Sequence, residues 1–261
     1  MKIKLSLAII LLSLGFVVKA QDKSLFKKES YVSGNDIMPY RILLPLNYDA
    51  SKKYPLILIL HGAGERGDDN EAQLVHGSYL FLKDSIRQQY PAIVVFPQCP
   101  TYSFWSNVQV SFDSVTKQRN FSFRADGDPT TGMKLAQELL YKIIDEYPVN
   151  KKQIYVGGLS MGGMGTFEIV RRNPKLFAAA FPICGGGAPA TAPAMKKIKW
   201  WVFHGAVDEV VPAAWSQEMV DALKTAGAEV KFSLYPGVNH NSWDNAFAEP
   251  ELLPWLFSVK K

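Results

Sequence analysis

Gln153-Ile-Tyr-Val-Gly-Gly-Leu-Ser-Met-Gly-Gly-Met-Gly165 is the stretch that decides how this chain folds. A β-rich apolar run, Ile154-Tyr155-Val156, stops at a pair of glycines, and a helical run from Thr166 to Arg172 starts just after the last of them. Between the two runs, Gly158-Leu159-Ser160-Met161-Gly162 fits the pattern G-x-S-x-G. Strand, sharp turn and helix form the setting in which such a turn presents a nucleophile. The turn predicts a strained backbone at Ser160. Strand and helix crowd together beside it, so Gly158 and Gly162 are expected to have no room for a side chain.

On both sides of this stretch, apolar β-type runs alternate with helical patterns, which predicts a mainly parallel sheet covered on both faces. Strands are expected at Tyr40–Pro45, Pro55–Leu60, Ala92–Phe96, Phe177–Ile183, Trp200–Phe203 and Val230–Tyr235. Helices are expected over Thr131–Tyr147, over Ala213–Ala226 closed by Gly227, and over Pro250–Phe257. Residues 97–129 form a long aromatic connection with no predicted strand, and loops of that length in a compact domain are usually functional. By contrast, the connection from Gly185 to Lys199 is too short for a lid domain. Repeats and low-complexity tracts are not visible.

The chain has 261 residues, 48% of them hydrophobic and 12% aromatic, which describes one globular α/β domain over residues 21–261. Residues 1–20 read as a signal peptide: Lys2 and Lys4, an apolar run from Leu5 to Val18, and cleavage after Ala20. The apolar run is shorter than the ~20 residues of a spanning helix, so no stable membrane insertion is expected after cleavage. A secreted or periplasmic location follows. The formal charge of +5 falls to +2 once Lys2, Lys4 and Lys19 leave, and the remaining cations form no stripe. Nucleic acid is therefore not an expected partner. Oligomeric state is not readable.

A serine needs a base, a group that orients the base, and donors for an oxyanion. In open α/β sheets these groups gather at the carboxyl ends of strands. Two of the four histidines, His204 and His240, follow Ser160. His240 lies in a loop just after the last strand and is the expected base. His204 closes a packed strand and reads as structural. Asp208, after the next-to-last strand, is the expected acid, with the adjacent Glu209 as its competitor. The backbone N–H of Met161 opens a helix and suits an oxyanion. The second donor is expected from the glycine-rich loop His61-Gly-Ala-Gly-Glu-Arg-Gly67, where Gly62 and Ala63 are the candidates and Ala63 is preferred, with Gly62 also a substrate-binding candidate. Trp105 and Trp243 are weaker substrate-binding candidates, and packing is the competing reading for both. Arg66 is a candidate for a carboxylate, with a solvated loop side chain as the alternative.

These motifs carry a resemblance. Leu60-His-Gly-Ala-Gly64, Gly158-Leu-Ser-Met-Gly-Gly163, His204-Gly-x-x-Asp208 and Gly237-x-x-His240 run in the order of a secreted α/β-hydrolase. The sequence is similar to the esterases related to feruloyl and acetyl-xylan esterases and to dienelactone-hydrolase-like enzymes, over residues 40–257. That resemblance implies an α/β-hydrolase fold and acyl-enzyme hydrolysis of carboxylic esters, with no metal and no organic cofactor. The substrate would be an ester, and acylated saccharides are one candidate class. Relatives with a large cap carry an insertion before the acid-bearing strand, and this chain does not. Prolyl-oligopeptidase-type peptidases, lipases and phospholipases share the triad order, and a binding protein on the same scaffold remains a further alternative. The family's strand order puts Cys99 and Cys184 three strands apart, roughly 14 Å, beyond the ~7 Å limit of a disulfide. Two free, buried thiols are expected.

Overall fold

The computed structural model describes residues 22–115 and 119–261, so the expected signal peptide lies outside the described residues. Ten strands are present in this part of the chain: β1 (Lys27–Ser33), β2 (Asp36–Leu43), β3 (Tyr54–Leu60), β4 (Ile93–Pro97), β5 (Val108–Phe112), β6 (Arg119–Phe123), β7 (Val149–Leu159), β8 (Ala179–Ile183), β9 (Lys199–Gly205) and β10 (Val230–Tyr235). Eight of them make one sheet in the order β1-β2-β4-β3-β7-β8-β9-β10. The pairs β1–β2 and β2–β4 are antiparallel, and from β4 to β10 every pair is parallel. The α-helices among the described residues are α1 (Ser78–Leu82), α2 (Asp84–Gln89), α3 (Thr131–Glu146), α4 (Met161–Arg172), α5 (Ala214–Thr225), α6 (Trp243–Ala248) and α7 (Leu252–Ser258).

Alternation along each strand builds two cores. Leu56, Leu58 and Leu60 of β3 join α3, α4 and α5 on one face, among them Leu139, Phe167 and Val220. Ile57 and Ile59 point the other way, into a layer formed with α1, α6 and α7 through Phe81, Phe247 and Leu256. Burial on both faces is why the central strands read as unbroken apolar runs.

Several elements differ from expectation. β1 is a mostly exposed edge strand, and its sequence Lys-Lys-Glu-Ser-Tyr-Val-Ser carries no apolar run. The long connection contains β5 and β6, paired antiparallel as a separate ribbon with Val110 opposite Phe121. Near the C-terminus α7 stands where a helix is expected, and α6, ahead of Pro250, is an additional short helix. Pro254 is tolerated because it lies in the first turn of α7, where an N–H has no helical partner. Gly227 has φ +88° just past α5, the left-handed position expected of it. Cys99 and Cys184 are free and buried, beyond the ends of β4 and β8.

Candidate active site

Ser160 sits between β7 and α4 with φ 54° and ψ −116°, a strained conformation for a residue with a side chain. Close packing fixes the turn. A Cβ on Gly162 would lie 1.9 Å from the Leu60 carbonyl oxygen, and one on Gly158 would lie 2.5 Å from the Gly162 oxygen. Both expected glycine constraints are present. The same packing brings the end of β3 against the start of α4, so the loop after β3 lies beside Ser160.

His240 comes from the loop after β10. That loop crosses the end of β9 so closely that a Cβ on Gly205 would meet the Asn239 oxygen at 2.2 Å. His240 Nε2 lies 2.9 Å from Ser160 Oγ, and its Nδ1 lies 2.7 Å from Asp208 Oδ2. The other carboxylate oxygen of Asp208 accepts the backbone N–H groups of Val210 and Val211, each at 2.9 Å. Burial works against the charged form of Asp208. Hydrogen bonds from His204, His240 and the Val211 N–H outweigh it and hold the carboxyl well below the usual carboxylate range. The Glu209 carboxylate instead accepts from Asn239 Nδ2 at 3.3 Å, while its backbone N–H donates to Asn239 Oδ1 at 3.0 Å. The structure thus brings together Ser160, His240 and Asp208 from the ends of three parallel strands.

The glycine-rich loop is pinned from below. His61 is buried, accepts the Cys99 N–H on Nε2 at 2.9 Å, and so donates from Nδ1 to the Gly62 oxygen at 2.6 Å. Burial pushes its pKa down to about 4, so the ring is neutral. Arg66 is half-buried and donates to the oxygens of Ala63, Thr101 and Ser103, which ties it to the backbone of its own loop and of the segment after β4. Gly62 is buried and Ala63 is exposed at the loop's turn. Met161 is the first residue of α4, and its N–H has no partner within the helix.

The expectation for Trp105 is overturned. Its side chain is fully buried, edge-on to His61 at 5.2 Å, and its indole N–H donates to the His61 oxygen at 3.0 Å. It packs behind the loop and offers no face to a substrate. Trp243 is half-buried, with its ring 5.3 Å from that of His240 and 5.0 Å from that of His76. Phe121 and Phe123 belong to the long aromatic connection singled out in the sequence, whereas Trp215 was passed over. Phe121 and Phe123 of the β5–β6 ribbon pack with Trp215 of α5 against Met164 of α4 and Val211 beside the acid. The ribbon's signal was the alternation of Val108, Val110 and Phe112 facing that of Phe121 and Phe123.

Ligand atoms of Cys184, Asp208 and His240 lie within 4.8 Å of one another, the one such cluster among the described residues. Asp208 and His240 are already bonded to each other, and burial keeps the Cys184 thiol protonated by raising its pKa. The donor chemistry is that of a triad.

The phospholipase/carboxylesterase family matches residues 47–250. A probable carboxylesterase of Oryza sativa subsp. japonica is 25% identical over 206 residues, covering 76% of this chain and 75% of its own. A thermostable esterase of known structure superposes with a TM-score of 0.81 at 33% identity over 91% of this chain, which spans 64% of that protein's length. A ferulic acid esterase from Anaeromyces mucronatus, solved in complex with ferulic acid, gives a TM-score of 0.63 at 16% identity, covering 87% and 89% of the two chains. The sheet, its strand-end serine and these likenesses lead to one conclusion: this chain belongs to the phospholipase/carboxylesterase family of α/β-hydrolases and is a hydrolase of carboxylic esters.

Proposed function

We propose that Ser160 attacks the ester carbonyl, with His240 taking its proton and Asp208 orienting His240. The observation that carries this reading is the hydrogen-bonded run from Ser160 Oγ through His240 to Asp208, at 2.9 and 2.7 Å. Attack places negative charge on the former carbonyl oxygen. The N–H of Met161, next to Ser160 in the chain, and that of Ala63, in the loop after β3, are the donors we assign to that charge. His240 then protonates the leaving alkoxide, the alcohol departs, and a water activated by the same ring releases the acid from the acyl-serine.

The substrate we favour is an acyl ester of a carbohydrate. Between β8 and β9 the described residues include only the short 3-10 turn Pro189–Met195, so no cap stands over the triad from that side. Trp243 beside His240 suits stacking against a sugar ring or an aromatic acyl group. The ferulic acid complex of a protein of similar fold supports the aromatic option. The charged and apolar start of the sequence supports export of the enzyme.

Replacement of Ser160 with Ala is expected to abolish hydrolysis of short p-nitrophenyl esters, and wild-type turnover by that variant would refute the nucleophile. A panel of acetylated and feruloylated oligosaccharides beside simple esters of rising chain length tests the substrate class. A preference for long-chain simple esters would overturn the carbohydrate reading.

A further inference from the structure

His204 closes β9 and plays no part in the steps above, yet it is bonded to the acid. Its side chain is fully buried. Nε2 lies 2.8 Å from the Val211 oxygen and 3.2 Å from Asp208 Oδ2. A carbonyl and a carboxylate only accept, so Nε2 carries a hydrogen. Nδ1 lies 2.7 Å from Ser216 Oγ, which in turn lies 2.7 Å from the Gly185 oxygen. Ser216 has one hydroxyl hydrogen to share between them. If it points to Nδ1, two oxygens face each other at hydrogen-bond distance with no hydrogen between. If it points to Gly185, Nδ1 must supply its own. The doubly protonated ring is the one state that gives each of these contacts a hydrogen.

We propose that His204 is held as an imidazolium cation and acts as a positioning residue, the standing counter-charge of Asp208. This inference rests on the triad reading above. The base must be neutral before it takes the serine proton, so His240 cannot balance the Asp208 charge in the resting enzyme. A buried carboxylate with no cation is costly. A second imidazole on the same carboxylate oxygen removes that cost. The cluster is closed by Ser216 from α5, Gly185 and Cys184 from the end of β8, and His240 from the loop after β10. The thiol is uncharged, so Asp208 and the two imidazoles carry the charge.

Asp208 therefore divides its field between two rings. Remove the cation and the whole field falls on His240, which then holds a proton to higher pH. The acid limb of kcat/KM moves up.

Two measurements on the full chain test this. With histidine labelled in its ring nitrogens, magnetic resonance should show one ring protonated on both nitrogens from pH 6 to 9. That signal should be absent in His204→Gln. In kcat/KM profiles with a soluble acetate ester, His204→Gln and Ser216→Ala should both shift the acid limb upward by about one pH unit. A singly protonated His204 in the folded wild type above pH 7 would overturn the proposal, as would variants that lose kcat with the limb in place. If His204→Gln does not fold, Ser216→Ala and the wild-type spectrum still decide. Failure of the triad reading would show separately, as activity retained by Ser160→Ala.

Discussion

At the scale of single residues, the acid is where small chemical changes have the largest consequence. Asp208 receives four hydrogen bonds: two backbone N–H groups on one oxygen and two imidazoles on the other. Asp208→Asn keeps the shape but replaces one oxygen with a donor. If the amide oxygen stays on Val210 and Val211, its NH2 faces two ring N–H groups. His240 is then driven to the tautomer that cannot accept the Ser160 proton. We expect kcat to fall about 10³- to 10⁴-fold with little change in KM, read from steady-state kinetics with a p-nitrophenyl ester. A fall of less than tenfold would show that Asp208 does not orient the base. The triad was legible in the sequence because chain order and strand ends left few candidates. The link from His204 to Asp208 was not, because a histidine that ends a strand in a packed segment looks the same whether it faces a carbonyl or a carboxylate.

Among the elements, legibility followed burial. β3, β4 and β8 are almost wholly buried and were plain as apolar runs. β1 was invisible because an edge strand facing water is written in polar residues. The β5–β6 ribbon had a period-2 signal, but each strand is five residues long and neither joins the main sheet. The elbow between β7 and α4 was the most legible element because its constraint is backbone against backbone. Gly162→Ala would place a methyl 1.9 Å from the Leu60 oxygen and 2.5 Å from its carbonyl carbon. Neither is a side chain that can swing away, so α4 must move off β3 and take Met161 with it. We expect a stability loss of about 1–3 kcal/mol, as for overpacked cores, in chemical denaturation, together with loss of most esterase activity. Wild-type activity in a folded Gly162→Ala protein would refute this account of the turn.

For the whole molecule, two buried groups act in the same direction as pH falls. His61 has its pKa lowered from 6.5 to about 4, so between these values the unfolded chain binds a proton that the folded chain refuses. Stability therefore drops as pH falls through that window, by about 3 kcal/mol if the full difference is expressed. Asp208 follows. Its folded pKa is depressed, so its contribution is present above the unfolded value of about 4 and is lost as pH falls below it. Acid unfolding should thus begin near pH 6, well above the carboxylate range, and steepen below 4. Urea denaturation at pH 7.5, 6 and 4.5 reads the first step. His61→Asn should be less stable than wild type at pH 7.5, since the loop loses its buried support, but the gap should narrow toward pH 4.5. Parallel curves for the two proteins would show that His61 is not the group being titrated. Because His61 holds the Gly62 carbonyl and Gly62 precedes Ala63, the same step should loosen the oxyanion loop. Activity in the wild type should then decline with stability through this window.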